Sequence, residues 1–246
     1  MTIIDRPLRM PRPVFLALWR AEGLGEVPVV VEQTPMYLSA DGAAERAKRA
    51  RDLLTQLGAP AAAALRATLE LLAGARREVY AWTDFGTHQA DNGAILVAGS
   101  GRDAVRLITD GQAVQLDPVS PQELAECLVF AMPVCSPAPI RPLHVPKDYY
   151  DGESVDPLAE EGGAADELRF LMRAPRDAVH ELHAAIRDND GDRTHSTPLS
   201  AIDLTGRGRI LSFLNTNPDG SERISVYPGT HTHLVDALNL TLGALN

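Results

Sequence analysis

Two stretches of this sequence follow the same order, four strand-like segments and then an amphipathic helix. In both stretches apolar and β-branched residues alternate with polar ones, and glycine or aspartate separates one segment from the next. The first stretch has strand-like segments at 78–83, 94–99, 104–109 and 113–118, and then a helical pattern from Leu124 to Ala131. The second has segments at 178–186, 198–204, 209–214 and 223–228, and then a last helix with Leu234, Leu238 and Leu242. An α+β fold with a duplicated, quasi-two-fold unit is therefore predicted.

A direct comparison of the two stretches favours the duplication. At a shift of 110 positions the following residues coincide: Val114 with Ile224, Leu116 with Val226, Pro118 with Pro228, Leu124 with Leu234, and Leu128 with Leu238. A simpler explanation exists, because any corner that runs from a strand through a proline into a helix needs such a pattern. We favour duplication because the Gly-Arg and Asp-Gly pairs upstream recur in the same order.

The remaining segments are predicted to be helical or irregular. Residues 1–12 are predicted to form a loose leader, and 28–33 a strand because of their β-branched side chains. Apolar spacing predicts helices at 14–21, 41–58, 60–73 and 164–173. Six prolines between 133 and 157 indicate a crossover rather than a core element. We divide the chain there, into 1–133 with the first repeat and 134–246 with the second, which together form one compact domain.

The charge of the chain limits its partners. Its 33 acidic and 23 basic residues give a net charge of -10, and such a surface repels phosphate backbones and anionic lipids. No stretch reaches the roughly 18 apolar residues that cross a bilayer, and the N-terminal region lacks the apolar core of a signal peptide. The two cysteines, Cys127 and Cys135, suit a reducing compartment. We expect a cytoplasmic protein that binds no nucleic acid and does not insert into membranes.

The histidine and acidic motifs do not indicate a catalytic or metal site. His180 and His183 lie three positions apart on a predicted strand, so they face opposite sides and cannot share an ion. His231 and His233 fall in the first turn of a predicted helix. Segment 188–192 lacks the glycine and glutamate spacing of a calcium loop and fits a turn. We therefore expect no catalytic residues, no metal, no cofactor and no enzymatic activity.

One connection between predicted strands is longer than a hairpin requires. Residues Asp84 to Asn92 span nine positions, whereas hairpin loops usually have roughly two to five. A disordered tip is one interpretation of this length. The other is a recognition loop that a rigid sheet holds out towards a partner.

Several segments together connect the chain to a known family. They are 24–28 (LGEVP) before a predicted strand, the long segment 95–133, the segment 201–210 (AIDLTGRGRI), and the ending 227–242 (YPGTHTHLVDALNLTL). In these segments, and in the order of elements over about residues 14–242, the chain resembles the EspG family. Members of that family are cytosolic chaperones dedicated to type VII (ESX) secretion in actinobacteria.

The resemblance implies a fold and a binding surface. The fold is a central antiparallel β-sheet flanked by two helical bundles. Family members bind secreted PE/PPE heterodimers, and they cover an apolar tip of the PPE helical bundle with the sheet, a hairpin loop and the C-terminal bundle. Those regions correspond here to the loop 84–92 and the helix 164–173. The implied partner-binding residues are Asp84, Phe85, His88, Gln89, Asp91, Arg169, Phe170 and Met172.

The function that the resemblance implies is that of a chaperone. It would keep a PE/PPE-like or WXG-like helical heterodimer soluble before export, and it would be a monomer or homodimer when free. A protein-interaction or scaffold module of another system, using the same loop, is the second hypothesis. A small-molecule enzyme with its site between the two halves is the third and less favoured one.

Overall fold

Alternating apolar residues build one large antiparallel sheet. The computed structural model describes residues 2–31, 40–86, 88, 91–152 and 160–245. The strands in this part of the chain are β1 Leu8–Pro11, β2 Arg77–Asp84, β3 Gly93–Ser100, β4 Asp103–Thr109, β5 Ala113–Val119, β6 Leu143–Pro146, β7 Arg176–Arg187, β8 Arg193–His195, β9 Leu199–Leu204, β10 Gly208–Thr216 and β11 Glu222–Pro228. Their order in the sheet is β1-β5-β4-β3-β2-β7-β9-β10-β11-β6, and β8 pairs with β7.

Helices cover both faces of the sheet. They are α1 Arg12–Ala21, α2 Ala40–Leu57, α3 Ala59–Gly74, α4 Leu124–Ala131, α5 Lys147–Asp151, α6 Glu160–Arg173 and α7 His231–Ala244. The expected helices at 14–21, 41–58, 60–73 and 164–173 are confirmed with small shifts of their ends. The described helices include none that is long and apolar enough to cross a membrane.

Aspartates close the turns at the two Asp-Gly pairs that recur in the sequence. In the β4–β5 turn, Asp110 Oδ1 accepts hydrogen bonds from the backbone N–H groups of Gln112 at 3.0 Å and Ala113 at 2.8 Å. In the β10–β11 turn, Asp219 Oδ1 accepts from Ser221 N at 2.9 Å. Both turns thus contain the side-chain-to-backbone bonds that make aspartate favourable in tight turns.

The strand order is the same on both sides of the central β2–β7 pair. From this pair outward the sheet runs β2-β3-β4-β5 on one side and β7-β9-β10-β11 on the other, and α4 and α7 follow the two fourth strands. The strands on the two sides thus correspond in number and order. Descent of the two halves from a duplication stays a prediction, and so does the division of the chain at residues 133 and 134.

The two faces of the sheet carry different helices. On the face that we call face A, α1, α2 and α3 pack over β3, β4 and β5, with Leu96, Leu107 and Leu116 in the core. On the same face, α5 and α6 pack over β6 and β9 to β11. On the opposite face, face B, α4 and α7 pack over the middle of the sheet. The centre of face A, where β2 meets β7, therefore lies between two helical groups.

The predicted leader is partly a strand. Residues Leu8–Pro11 form β1, which pairs with β5 at the edge of the sheet. Ile4 is buried, and its N–H donates to Thr68 Oγ1 at 3.0 Å. The prediction of a loose leader for 1–12 was therefore wrong, because a short edge strand bounded by prolines has too few residues to show an alternating pattern.

Two further predictions also need correction. The predicted strand at 28–33 is absent from its described part, where Val31 N donates to Pro28 O at 2.8 Å in a turn and residues 32 and 33 lie outside the described residues. The proline-rich segment 133–157 contains β6 and α5, and Leu143 and Val145 are buried against α6. Proline is tolerated on an edge strand, so its frequency there did not exclude a core contribution.

Candidate partner-binding site

The two predicted binding regions meet at one end of the sheet. Asp84, the last residue of β2, lies opposite Val179 near the start of β7, and α6 ends just before β7 begins. The loop after β2 and the C-terminal end of α6 are therefore on the same end of neighbouring strands. This nearness follows from the antiparallel pairing of β2 and β7, which are far apart in sequence.

Hydrogen bonds close the base of the loop between β2 and β3. Asp84 Oδ1 accepts from Gly86 N at 2.9 Å and from Asn92 Nδ2 at 3.2 Å, while Asn92 Oδ1 accepts from Phe85 N at 2.8 Å. His88 N donates to Phe85 O at 3.2 Å. The side chains of His88 and Asp91 are exposed and that of Phe85 is half-buried, while Gln89 lies outside the described residues.

The three predicted residues of α6 differ in their roles. The guanidinium of Arg169 donates to the backbone oxygens of Tyr149 and Tyr150 and to Asp166, so it fastens α5 to α6. Met172 is partly buried against the core beneath α6. Phe170 is 57% exposed, and the guanidinium carbon of Arg207 lies 4.7 Å from the centre of its ring. Of these three side chains, Phe170 is the one that presents apolar surface to solvent.

A cleft of about 910 Å³ opens at the same end of the sheet. Its lining includes Trp82 of β2, Val30 of the segment before α2, and Val179 and Glu181 of β7. Trp82 and Glu181 are paired across β2 and β7, so both lie on face A, between its two helical groups. The cleft thus combines an aromatic wall with polar groups at its rim.

The charged groups of the cleft are mainly acidic. Asp84, Asp110 and Glu181 line it together with Arg12. Hydrogen bonds from backbone N–H groups, above all that of Ala113, lower the pKa of Asp110, which also pairs with Arg9 at 3.3 Å. Arg12 donates from Nη1 to Gly111 O at 3.2 Å. Three carboxylates against one lining guanidinium favour a partner with a positive charge.

Of this lining, sequence reasoning identified Asp84 as a partner-binding residue and Asn92 as the end of the recognition loop, and it missed the rest. Trp82 and Glu181 lie on strands that are distant in sequence, and Asp110 belongs to one of the Asp-Gly pairs, whose local pattern indicates a turn and not a cleft. A signal was present in Trp82, since a tryptophan at the last apolar position of a strand next to a long loop is a candidate binding residue.

A separate buried network lies on face B, behind the cleft. Thr83 Oγ1 is 2.8 Å from His180 Nδ1, and His180 Nε2 is 3.2 Å from Asp203 Oδ2. Arg209 donates to both carboxylate oxygens of Asp203, at 2.6 Å from Nε and 2.8 Å from Nη2. Burial alone would raise the pKa of Asp203, but the hydrogen bonds from Arg209 and His180 outweigh it and hold that pKa far below its usual value.

This network contains the groups of a nucleophile, a base and an acid, but its base and its acid are not accessible to a substrate. His180 is completely buried, and the oxygens of Asp203 are already bound by Arg209. With a buried imidazole and an occupied carboxylate, the network offers a substrate no free base, so we assign it a role in stability. It also confirms that His180 and His183 face opposite sides of β7, since His183 stacks on Tyr80 on face A.

Other reactive groups do not form a site in the described residues. No group of three or more histidine, cysteine, aspartate or glutamate side chains there could hold a metal ion. Both cysteines are free, and burial raises the pKa of each thiol, which disfavours the reactive thiolate.

Comparisons with known proteins agree with this architecture. No curated protein matches the sequence. A solved structure that is similar over nearly the whole chain is that of the Mycobacterium tuberculosis type VII secretion system chaperone EspG5 in complex with the PE25–PPE41 dimer. The TM-score is 0.68 at 15% identity, and the match covers 98% of this chain and 97% of the other. The sequence model of the EspG family matches residues 12–239. This chain therefore belongs to the EspG family.

Proposed function

We propose that this protein is a chaperone of type VII secretion that binds a PE/PPE-like or WXG-like helical heterodimer in the cytoplasm before export. The proposal is supported by the family model over residues 12–239 and by the fold shared with EspG5, whose solved complex contains the PE25–PPE41 dimer. The role is a binding role rather than an enzymatic one.

The observation that carries the proposal is the convergence of recognition features at one end of the sheet. The loop that begins at Asp84, the cleft beside Trp82 and the exposed ring of Phe170 all lie at this end on or beside face A. A rigid sheet thus presents an aromatic and acidic surface to a partner, as a binding protein requires.

Burial of apolar surface supplies the affinity. Each 100 Å² of apolar surface that the complex covers contributes about 2.5 kcal/mol before the costs of association. A chaperone must later release its client, so a moderate and reversible affinity fits this role. The partner-binding residues are Asp84, Phe85, His88, Asp91 and Phe170 within the described part of the chain, and Trp82 and Glu181 join them from the cleft.

Co-purification from the native host tests the proposal. An affinity-tagged copy of the full chain is expressed in that host, and mass spectrometry identifies the proteins that elute with it in stoichiometric amounts. The expected result is a pair of helical PE/PPE-like or WXG-like proteins in equal amounts. Repeated recovery of the free protein, or of an unrelated partner, would contradict the proposal, and the unrelated partner would favour a scaffold module instead.

A further inference from the structure

His183 has a hydrogen-bond environment that a neutral imidazole cannot satisfy. The residue lies on face A of strand β7, and its side chain is 8% exposed. Its Nε2 is 2.9 Å from Glu181 Oε1, and its Nδ1 is 3.3 Å from the backbone oxygen of Ser196. Carboxylate and carbonyl oxygens only accept hydrogen bonds, and a neutral imidazole has a single N–H. Both bonds can therefore form only when the ring is protonated.

The other groups around the ring leave Glu181 as its direct ionic partner. Tyr80 stacks on the imidazole with ring centres 5.0 Å apart, and Trp82 meets it edge-on at 5.4 Å. Beyond Tyr80, Arg193 lies 5.1 Å from the tyrosine ring and pairs with Glu78 at 2.8 Å, so its charge is offset. In the described part of the chain, the hydrogen bonds, ring contacts and ion pairs that lead from the ring thus include four charged or titratable side chains, Glu181, Tyr80, Arg193 and Glu78.

The two acceptors differ in their freedom to move. Ser196 is fixed by the backbone, because its N–H donates to Ala184 O at 2.8 Å and its Oγ accepts from Ala184 N at 3.0 Å. Glu181 has a side chain that is 52% exposed and lines the cleft. A neutral ring has a single N–H and can donate to only one of these two acceptors. The glutamate is the partner that can leave.

We propose that His183 and Glu181 form a proton switch in the cleft. With His183 protonated, the carboxylate of Glu181 is held against the sheet. With His183 neutral, that carboxylate is released from the ring, and its charge in the cleft, no longer offset, adds to the negative charge of Asp84 and Asp110. The consequence for a client rests on the proposed function: a client with a cationic residue at the cleft binds roughly twofold to fivefold more strongly as the pH rises through the range of about 5 to 8 in which histidines change charge.

Nuclear magnetic resonance of the client-free protein tests the switch. The ¹⁵N signals of the His183 ring and the ¹³C signal of the Glu181 carboxyl group are followed over that pH range. The expected result is a change of both signals with one common midpoint. A His183 signal that titrates while the Glu181 carboxyl signal stays constant would overturn the proposal.

Tryptophan fluorescence gives a second, independent observation. A protonated imidazole quenches an adjacent indole, so the emission of Trp82 should rise with the same midpoint as the pH increases. The variant His183→Gln should lose this dependence. His195→Gln replaces an exposed histidine on β8, and it should keep the dependence. Equal pH dependence in His183→Gln and the wild-type protein would contradict the assignment.

Measurements of client affinity distinguish a failure of the switch from a failure of the proposed function. The affinity of the full chain for the heterodimer recovered from the host is measured at about pH 5.5 and about pH 8, and the predicted rise should be absent in Glu181→Gln. Failure to recover a heterodimer would count against the proposed function, while the client-free spectra would still decide the switch. A recovered heterodimer whose affinity is the same at both pH values would contradict the predicted effect on clients.

Discussion

Arg209 connects parts of the chain that are distant in sequence. Its side chain binds Asp203 and, at 3.0 Å, the backbone oxygen of Pro133, two residues after the end of α4. Its backbone N–H donates to Ser136 O at 2.7 Å, and its oxygen accepts from Ala138 N at 2.8 Å. One buried residue therefore fixes the start of the proline-rich crossover onto β10. The carboxylate of Asp203 neutralises its charge.

Replacement of Arg209 should be strongly destabilising. Arg209→Met leaves the buried carboxylate of Asp203 without its main partner, and removal of one member of a buried ion pair costs about 3 to 5 kcal/mol. The free energy of unfolding in urea measures the effect. Arg207→Met, two positions away on the exposed turn, should cost less than about 1 kcal/mol, since it loses an exposed contact with Phe170. Equal losses in the two variants would show that the buried network does not stabilise the fold.

At the scale of elements, the turn between β9 and β10 joins the sheet to the crossover. Gly208 has φ 92°, and a Cβ atom there would clash with Ser136 O. Gly206 in the same turn has φ 67°, but a Cβ atom there would meet open space. Both positions favour glycine for their backbone conformation, while Gly208 alone of the two also needs it for the close approach of the crossover.

The two glycines should therefore respond differently to alanine. Gly206→Ala should cost roughly 1 to 2 kcal/mol, which is the strain of a left-handed backbone. Gly208→Ala should cost at least about 1 kcal/mol more, because the crossover backbone must also move. Urea unfolding of both variants makes the comparison. A Gly208→Ala loss no larger than that of Gly206→Ala would contradict the packing of the crossover against this turn.

The elements that sequence reasoning found and missed differ in length and contacts. The eight strands of the two repeats were predicted because each is long enough to show apolar alternation. The edge strands Leu8–Pro11 and Leu143–Pro146 have four residues each, and their prolines suggested loops. The β-branched run at 28–31 forms a buried turn instead, because Val30 and Val31 pack into the core through tertiary contacts that their local pattern does not specify.

The site was predicted less completely than the fold for a related reason. The loop 84–92 and the helix 164–173 were identified from loop length and from the resemblance to the EspG family. The cleft beside them depends on which residues of β2 and β7 are paired, and the pairing of strands so distant in sequence is not encoded locally. The sequence also did not show that Arg169 fastens α5 to α6 or that Met172 packs against the core, because tertiary packing sets the neighbours of both residues.

At the scale of the whole molecule, the two faces of the sheet predict different effects on binding. Phe170 on α6 is 57% exposed at the proposed site, and Phe130 on α4, one of the two helices on face B, is 79% exposed. Phe170→Ser should weaken the affinity for the co-purified heterodimer about tenfold or more, as for an aromatic residue central to an interface. Phe130→Ser should leave it unchanged, and isothermal titration calorimetry gives both values. A larger loss in Phe130→Ser would place the interface on face B.

Hydrogen–deuterium exchange of the chain, alone and with the proposed heterodimeric client, is the most direct measurement of where that client binds. We predict slower exchange on binding in the loop after Asp84, in β7 around Glu181 and in the C-terminal part of α6, with no change in α4 and α7. Protection confined to α4 and α7, with none around the cleft, would contradict the proposed binding site.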